Sequence, residues 1–274
     1  MLLRVPQPYD FHASTERFRA YGVDRATVWH DGGLHRVVGG REVRIEAAAG
    51  GVRVEGWEPR LADEVAFLLG LPFDLDAFWA WARSEPVLAA LAEPLAGYRP
   101  PLQPDPWEAV VTSVTAQQVS LASAFAVRSR LIERLGDRHD RAWAFPSRER
   151  VAAAGEDELV AVGFSRRKAE YVVGLARSDL DLHALAQLPD DEVVAALVAR
   201  RGLGRWSADW FLARALARPL GWPAGDLGVR KAVSRFYGDG RLLSEAEVRE
   251  LGPRFDPYRN LSAHMLLAGA RIVG

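Results

Sequence analysis

The chain has 274 residues, 49% of them hydrophobic and 26% charged, with a net charge of −1, which excludes a disordered or fibrous chain. It has no cysteine, which removes disulfides, a thiolate nucleophile and an iron–sulfur cluster; its six histidines are scattered, so no catalytic zinc is expected. No apolar run reaches the roughly 18–20 residues of a membrane span and the start MLLRVPQPYD lacks a signal-peptide core, so a cytoplasmic protein without membrane contact is expected.

In chain order, residues 14–20 read as helical, and residues 26–57 as short alternating strands such as VRIEA and VRVEGW. Asp31-Gly32-Gly33, Gly39-Gly40 and Gly50-Gly51 separate these strands as tight turns, giving a small antiparallel meander. Another helix follows at 59–69. From Phe73 onward helical periodicity takes over, with helices expected over 105–117, 120–135, 147–154, 156–162, 166–176, 190–200, 207–217, 226–237, 244–251 and 258–268, several with Ser or Asp at their starts and Gly at their ends. The fold class is mainly α with an α+β N-terminal part. The chain divides into an α+β domain over 1–72, a helical linker over 73–104 packing on the core, a helical domain over 105–222, and a C-terminal helical segment over 223–274. A Pro-rich stretch, 86–106, marks the main boundary.

The densest chemistry lies in 201–231, RGLGRWSADWFLARALARPLGWPAGDLGVRK. Gly202-Leu203-Gly204 between two helices turns the backbone sharply and aims the N–H groups of the second helix outward, a seat for a phosphate. On spacing alone it reads more readily as an ordinary helical hairpin with a glycine turn. Asp226, before Leu227-Gly228-Val229, reads first as a helix cap. Trp206 and Trp210 stand one turn apart on one helix face, either as core or as an aromatic wall for an electron-poor base. The charge balance shifts along the chain, from three more acids than bases over 1–100 to two more bases than acids beyond. That is a faint tilt toward an anionic partner, and no broad basic surface.

GLGRWSA followed by Asp226 in GDLGVRK resembles the helix-hairpin-helix and Gly/Pro-rich loop of the DNA glycosylase superfamily. The chain is most similar to the DNA-3-methyladenine glycosylase II family. PYDF (8–11), FDLDAF (73–78), DPWEAVVTSVTAQQVSLASA (105–124), FSRRKAEYVVGLA (164–176) and FDPYRNLSA (255–263) agree with that family in order. The sequence departs from the pattern at Arg200 and Arg201, where an apolar residue and a proline are usual. Phe255 also replaces a usual Trp, and Leu267 stands where such an enzyme places a pocket Trp.

The resemblance implies a monofunctional glycosylase that flips alkylated purines out of double-stranded DNA. Asp226 is then the catalytic carboxylate, stabilising positive charge on the sugar. Trp206 stands where bifunctional members carry a Schiff-base lysine, so no lyase activity is implied. Trp210, Phe18 and Tyr9 join Trp206 in binding the base. Gly202, Leu203, Gly204, Arg205 and Ser207 hold the DNA backbone, and Gln117-Gln118 reaches the minor groove, with Gln118 as the wedge. No organic cofactor is expected, a monovalent cation is expected at hairpin carbonyls near Leu203, and the protein is expected to be a monomer. The rival readings are a glycosylase for neutral oxidised or deaminated bases and a non-catalytic DNA-structure-binding module.

Overall fold

The computed structural model describes residues 1–272. Five strands, β1 (Leu2–Arg4), β2 (Thr27–His30), β3 (Gly33–Val38), β4 (Arg41–Ala48) and β5 (Gly51–Glu55), form one antiparallel sheet in the order β1-β5-β4-β3-β2. Asp31-Gly32 (φ 45° and 72°) and Gly39-Gly40 (φ 53° and 76°) take successive left-handed conformations, which match the twist of the strands they join. The edge strand β1 is absent from the sequence reading. Three residues carry no legible alternation, and this strand takes its register from its partner, with Leu3 opposite Val52.

The first helix, α1 (Phe11–Thr15), starts earlier than expected because the Asp10 carboxylate accepts the Ala13 N–H at 2.9 Å; a 3-10 turn, Glu16–Phe18, extends it. After α2 (Ala62–Leu68) come α3 (Leu75–Ala82) and α4 (Pro86–Leu91). The helical body continues with α5 (Pro106–Ala116), α6 (Leu121–Leu135), α7 (Arg148–Ala161), α8 (Arg166–Arg177), α9 (Asp190–Val198), α10 (Arg205–Trp210), α11 (Leu227–Tyr237), α12 (Glu245–Leu251) and α13 (Arg259–Ile272). Side chains of Asp105, Ser120, Ser147, Ser165, Asp226 and Ser244 cap six of these, so the sequence marks most starts within a residue or two. Gly155, at φ 77°, breaks α7 into the two pieces expected on either side of it. The helix expected over 207–217 begins at Arg205 and passes into a π-helical turn, Phe211–Ala215.

Burial organises the chain into three cores. Leu34, Val43, Ile45, Val52 and Val54 of the sheet pack with Leu61, Val65 and Leu68. A second core joins α5 to α9 through Val111, Leu131, Leu159, Val172 and Leu197. The third joins 73–102 to the C-terminal helices: Phe78, Leu88 and Leu102 pack with Trp222, Val233, Phe255 and Leu266. Two segments far apart in sequence thus make one helical layer.

A buried ion cluster ties the sheet to the second core. Glu108 on α5 accepts Arg36 of β3 (Nη2, 2.5 Å) and Arg128 of α6, while Arg36 also donates to Thr27 (2.7 Å) and Arg128 to Thr112 (2.8 Å). Arg128 also pairs with Asp24 at 3.3 Å. Burial pushes the Glu108 carboxyl up, but the two guanidiniums outweigh it and hold it at about 2, below its ordinary 4.5.

Glu108→Gln leaves two buried guanidiniums short of a counter-charge and is expected to cost about 3 kcal/mol or more in denaturant unfolding at pH 7. A carboxyl lowered on folding stabilises above its unfolded value and loses that contribution as pH falls through its folded value. Glu108 therefore contributes fully above pH 4.5 and progressively less towards pH 2. Thermal melts across that range should show a shallower acid dependence in the variant than in wild type.

Candidate active site

The turn between α9 and α10 is a glycine-dependent hairpin. Gly202 has φ 91°, and a Cβ there would lie 2.2 Å from the Tyr171 ring, so both conformation and space demand glycine. Leu203 sends its N–H to the Arg200 carbonyl (3.1 Å) and its side chain into the second core. Gly204 is exposed, extended at φ −114°, and caps α10 with no side-chain bond. The outward N–H groups therefore belong to a helix that begins at Arg205. Ser207 departs from its expected role: it is buried, its hydroxyl has no partner, and its side chain faces inward. The Arg205 guanidinium is bound to Asp209 (2.7 Å), which Arg249 also holds (3.2 Å).

Gln117 ends α5 beside this hairpin and donates its amide to the Gly202 carbonyl at 2.8 Å, so its side chain braces the turn. Gln118 stands exposed at the tip, with φ 55°. Val119 and Leu121, both about half exposed, flank it; the sequence reading passed over them, although apolar residues beside a polar tip were the available signal.

Asp226 lies at the start of α11, across from the hairpin. Its Oδ1 accepts the Val229 N–H at 3.0 Å and caps the helix. Its Oδ2 accepts the indole N–H of Trp206 at 3.0 Å and of Trp210 at 3.2 Å. Three fixed donors use three of the roughly four lone-pair positions of a carboxylate, so this one is held in place with a face left over. The helix cap and the acid expected to carry the chemistry are the same group, and both tryptophans orient it.

A family model for HhH-GPD superfamily base excision DNA repair proteins matches residues 111–254, a span running from α5 through the hairpin and Asp226 to α12. The chain belongs to that superfamily. It is 27% identical to the DNA-3-methyladenine glycosylase of Bacillus subtilis over 225 residues, covering 78% of this chain and 73% of that one. It is 30% identical to DNA-3-methyladenine glycosylase 2 of Escherichia coli over 60% of this chain and 57% of that one. The 3-methyladenine DNA-glycosylase of Archaeoglobus fulgidus has a solved structure that superposes with a TM-score of 0.90 at 26% identity, covering 99% of this chain and 98% of that one.

The two tryptophans of this repair protein are not equivalent. Trp206 is half-buried, whereas Trp210 is buried, with the Arg214 guanidinium 3.8 Å from its ring centroid and the edge of His264 at 5.9 Å. The wall expected from both indoles is therefore offered by Trp206 alone. The π turn places Arg214 over Trp210, and Asn260 of α13 holds that turn by donating to the Ala213 carbonyl at 2.8 Å. His264 receives no charge here: burial first, and then Arg214, push it down to about 3. With Nδ1 at 3.0 Å from the Asn260 carbonyl, the neutral ring carries its proton there and leaves Nε2 as a buried acceptor without a partner.

Beyond Arg214 lies a cavity of about 210 Å³ between the N-terminal domain and α13, lined by Arg17, Tyr98, Arg214, His264 and Leu267 among others. Leu267 also stands beside Gly228 in the first turn of α11, and so connects the cavity to the Asp226 side. Tyr9 and Phe18 do not face the site. Both pack in the sheet core, because the cap at Asp10 sets a helical stripe of Phe11, Ser14, Thr15 and Phe18 inward. The neighbouring stripe, Ala13 and Arg17, faces the cavity instead. Reading the cap correctly was the signal that would have selected Arg17.

Gly202→Val and Gly204→Val should separate the hairpin's two glycines. The first meets the Tyr171 ring and is expected to cost several kcal/mol. The second has an ordinary φ and no atom within 4 Å of its Cβ, and should stay within about 1 kcal/mol of wild type. Equilibrium unfolding of both variants checks this.

Proposed function

We propose that this protein is a monofunctional DNA glycosylase that flips an alkylated purine out of duplex DNA and hydrolyses its N-glycosidic bond, with Asp226 as the catalytic carboxylate. The observation that carries the reading is the Asp226 carboxylate, fixed by two indole N–H groups and a backbone N–H directly across from the glycine hairpin. Cleavage of the bond builds oxocarbenium character at C1′, and a preorganised carboxylate stabilises that charge without reorganising. Purines alkylated at N3 or N7, such as 3-methyladenine and 7-methylguanine, are cationic and depart without strong protonation. Trp206 supplies a face on which such a base stacks. DNA grip falls to the N–H groups at the start of α10, which suits a chain with a net charge of −1. Gln118, with Val119 and Leu121 beside it, fills the gap left by the flipped nucleotide.

No group of three or more His, Cys, Asp or Glu suited to a metal occurs among the described residues, so a monovalent cation at the hairpin would rest on backbone oxygen. Hairpin carbonyls near Leu203 would hold it, the Gly202 oxygen keeping a lone pair beside its bond from Gln117, and it would supply positive charge for a DNA phosphate.

Asp226→Asn is expected to keep the fold and duplex binding while base release falls about a thousandfold or more in single-turnover assays on methylated DNA. Asparagine retains one oxygen, enough to cap α11 or to accept the indoles, and carries no charge. Near-wild-type release by a folded variant would remove Asp226 from the chemistry.

The group 3.0 Å from Asp226, where a lyase holds its amine, is an indole N–H that forms no Schiff base. Lys168 is occupied at the Thr115 carbonyl, 2.9 Å away. The product is therefore expected to be an intact abasic strand that nicks only on alkali treatment. Borohydride should trap no covalent adduct, and efficient trapping would overturn the assignment.

A further inference from the structure

Arg214 is an unusual wall for a pocket that takes a cationic base. Its guanidinium covers Trp210 at 3.8 Å, its Nε is buried without a partner, and the guanidinium makes no hydrogen bond among the described residues. Arg17 comes to the same cavity, also without a hydrogen bond to the described protein. Asp10 and Glu16 also line the cavity, but a guanidinium without a protein acceptor favours a base that brings acceptor atoms to it. Leaving the buried Arg214 Nε unsatisfied costs stability that a purely structural arginine would recover from a nearby carbonyl or carboxylate. On the same wall His264 offers an unpaired Nε2 acceptor, because its Nδ1 proton is engaged with the Asn260 carbonyl.

A guanidinium donor beside an imidazole acceptor has a specific complement among purines. The Watson–Crick edge of guanine presents O6, an acceptor, next to N1–H, a donor. Adenine presents the reverse, an amino donor next to an N1 acceptor. Arginine is the side chain that pairs best with guanine O6, and when N7 is alkylated O6 is the acceptor that remains. An adenine-type base would set its amino group against the guanidinium and leave both His264 Nε2 and its own N1 mismatched.

We propose that Arg214 and His264, supported by Arg17, make the cavity beside Asp226 a reader of keto purines, selecting alkylated guanines over alkylated adenines. This rests on the glycosylase reading above and narrows its substrate class. Arg214 acts as a specificity residue: its backbone is fixed by the π turn and by the Gln103 N–H, which donates to its carbonyl at 2.9 Å.

The test compares ratios. Wild-type protein, Arg214→Met and Arg214→Lys are incubated with dimethyl-sulfate-treated duplex, and the single-turnover rates of 7-methylguanine and 3-methyladenine release are measured against their rates of spontaneous loss. In parallel, equilibrium dialysis measures binding of the two free bases. The enzymatic rate enhancement and the dialysis affinity are both expected to favour 7-methylguanine in wild type by about tenfold or more, the worth of a charged hydrogen bond. Arg214→Met, which keeps an apolar cover on Trp210, should collapse both ratios towards one. Arg214→Lys, which keeps the charge without the planar fork, should give intermediate ratios even where the Met variant fails to fold. Ratios near one in wild type, or ratios that Arg214 substitution leaves unchanged, overturn the proposal. Release of neither base alongside a preserved dialysis ratio would instead overturn the alkylpurine-excision reading and leave base selection by Arg214 standing.

Discussion

The site depends on a buried carboxylate far from its chemistry. Glu108 joins β3 to α5 and α6 through Arg36 and Arg128, the buried centre of a joint that Glu42 with the Arg141 and Ala142 N–H groups and Ser129 with the Val23 carbonyl extend. The cavity is made by that docking, since Arg17 comes from one side of the joint and Arg214, His264 and Leu267 from the other. Buried ion pairs rarely add much stability over apolar packing, but their geometry is exacting, and an unpaired member is costly. Such a cluster therefore specifies how two parts dock more than how tightly they hold.

Inside the helical body, a second constraint works at the scale of single atoms. The π turn after α10 would be costly alone, and it persists because Asn260 satisfies the Ala213 and Arg218 carbonyls from α13. The same helical segment carries Trp206 and Trp210 to one oxygen of Asp226 and leaves Arg214 stacked on the second indole. The proposed catalytic positioning and the proposed base selection thus share one segment, 205–215, and one supporting helix, α13. A change in the supporting helix at Asn260 would reach both.

The electrostatics of the site are local. A protein with a net charge of −1 has no broad field to draw DNA towards it, and the positive groups that matter are few and placed: the α10 N-terminus at the hairpin, and the guanidiniums of the cavity. Against them stand Asp226 at the hairpin side and Asp10 and Glu16 on the cavity lining. Under the proposed function, a purine would turn its glycosidic carbon towards the acid and its acceptor edge towards the arginines.

The sequence by itself determined the helical class, the N-terminal sheet, most helix starts, the hairpin and the Asp226 spacing, because each is written in local chemistry: alternating runs, Ser and Asp caps, and a glycine that no other residue can replace. Cores that cross the chain were not legible. Leu75 to Leu91 pack with residues after Trp222, and no local pattern announces a partner more than a hundred residues away. The same reason explains the misread pocket. Phe18 stands among the expected base-binding residues, yet the cap at Asp10 sets the helical phase that sends Phe18 into the sheet core and Arg17 to the cavity. Trp210 carries the right spacing for a stacking wall, but only the folded chain puts Arg214 across its face. Whether an aromatic or a charged side chain is free to act depends on what covers it, and that is decided by packing between distant segments.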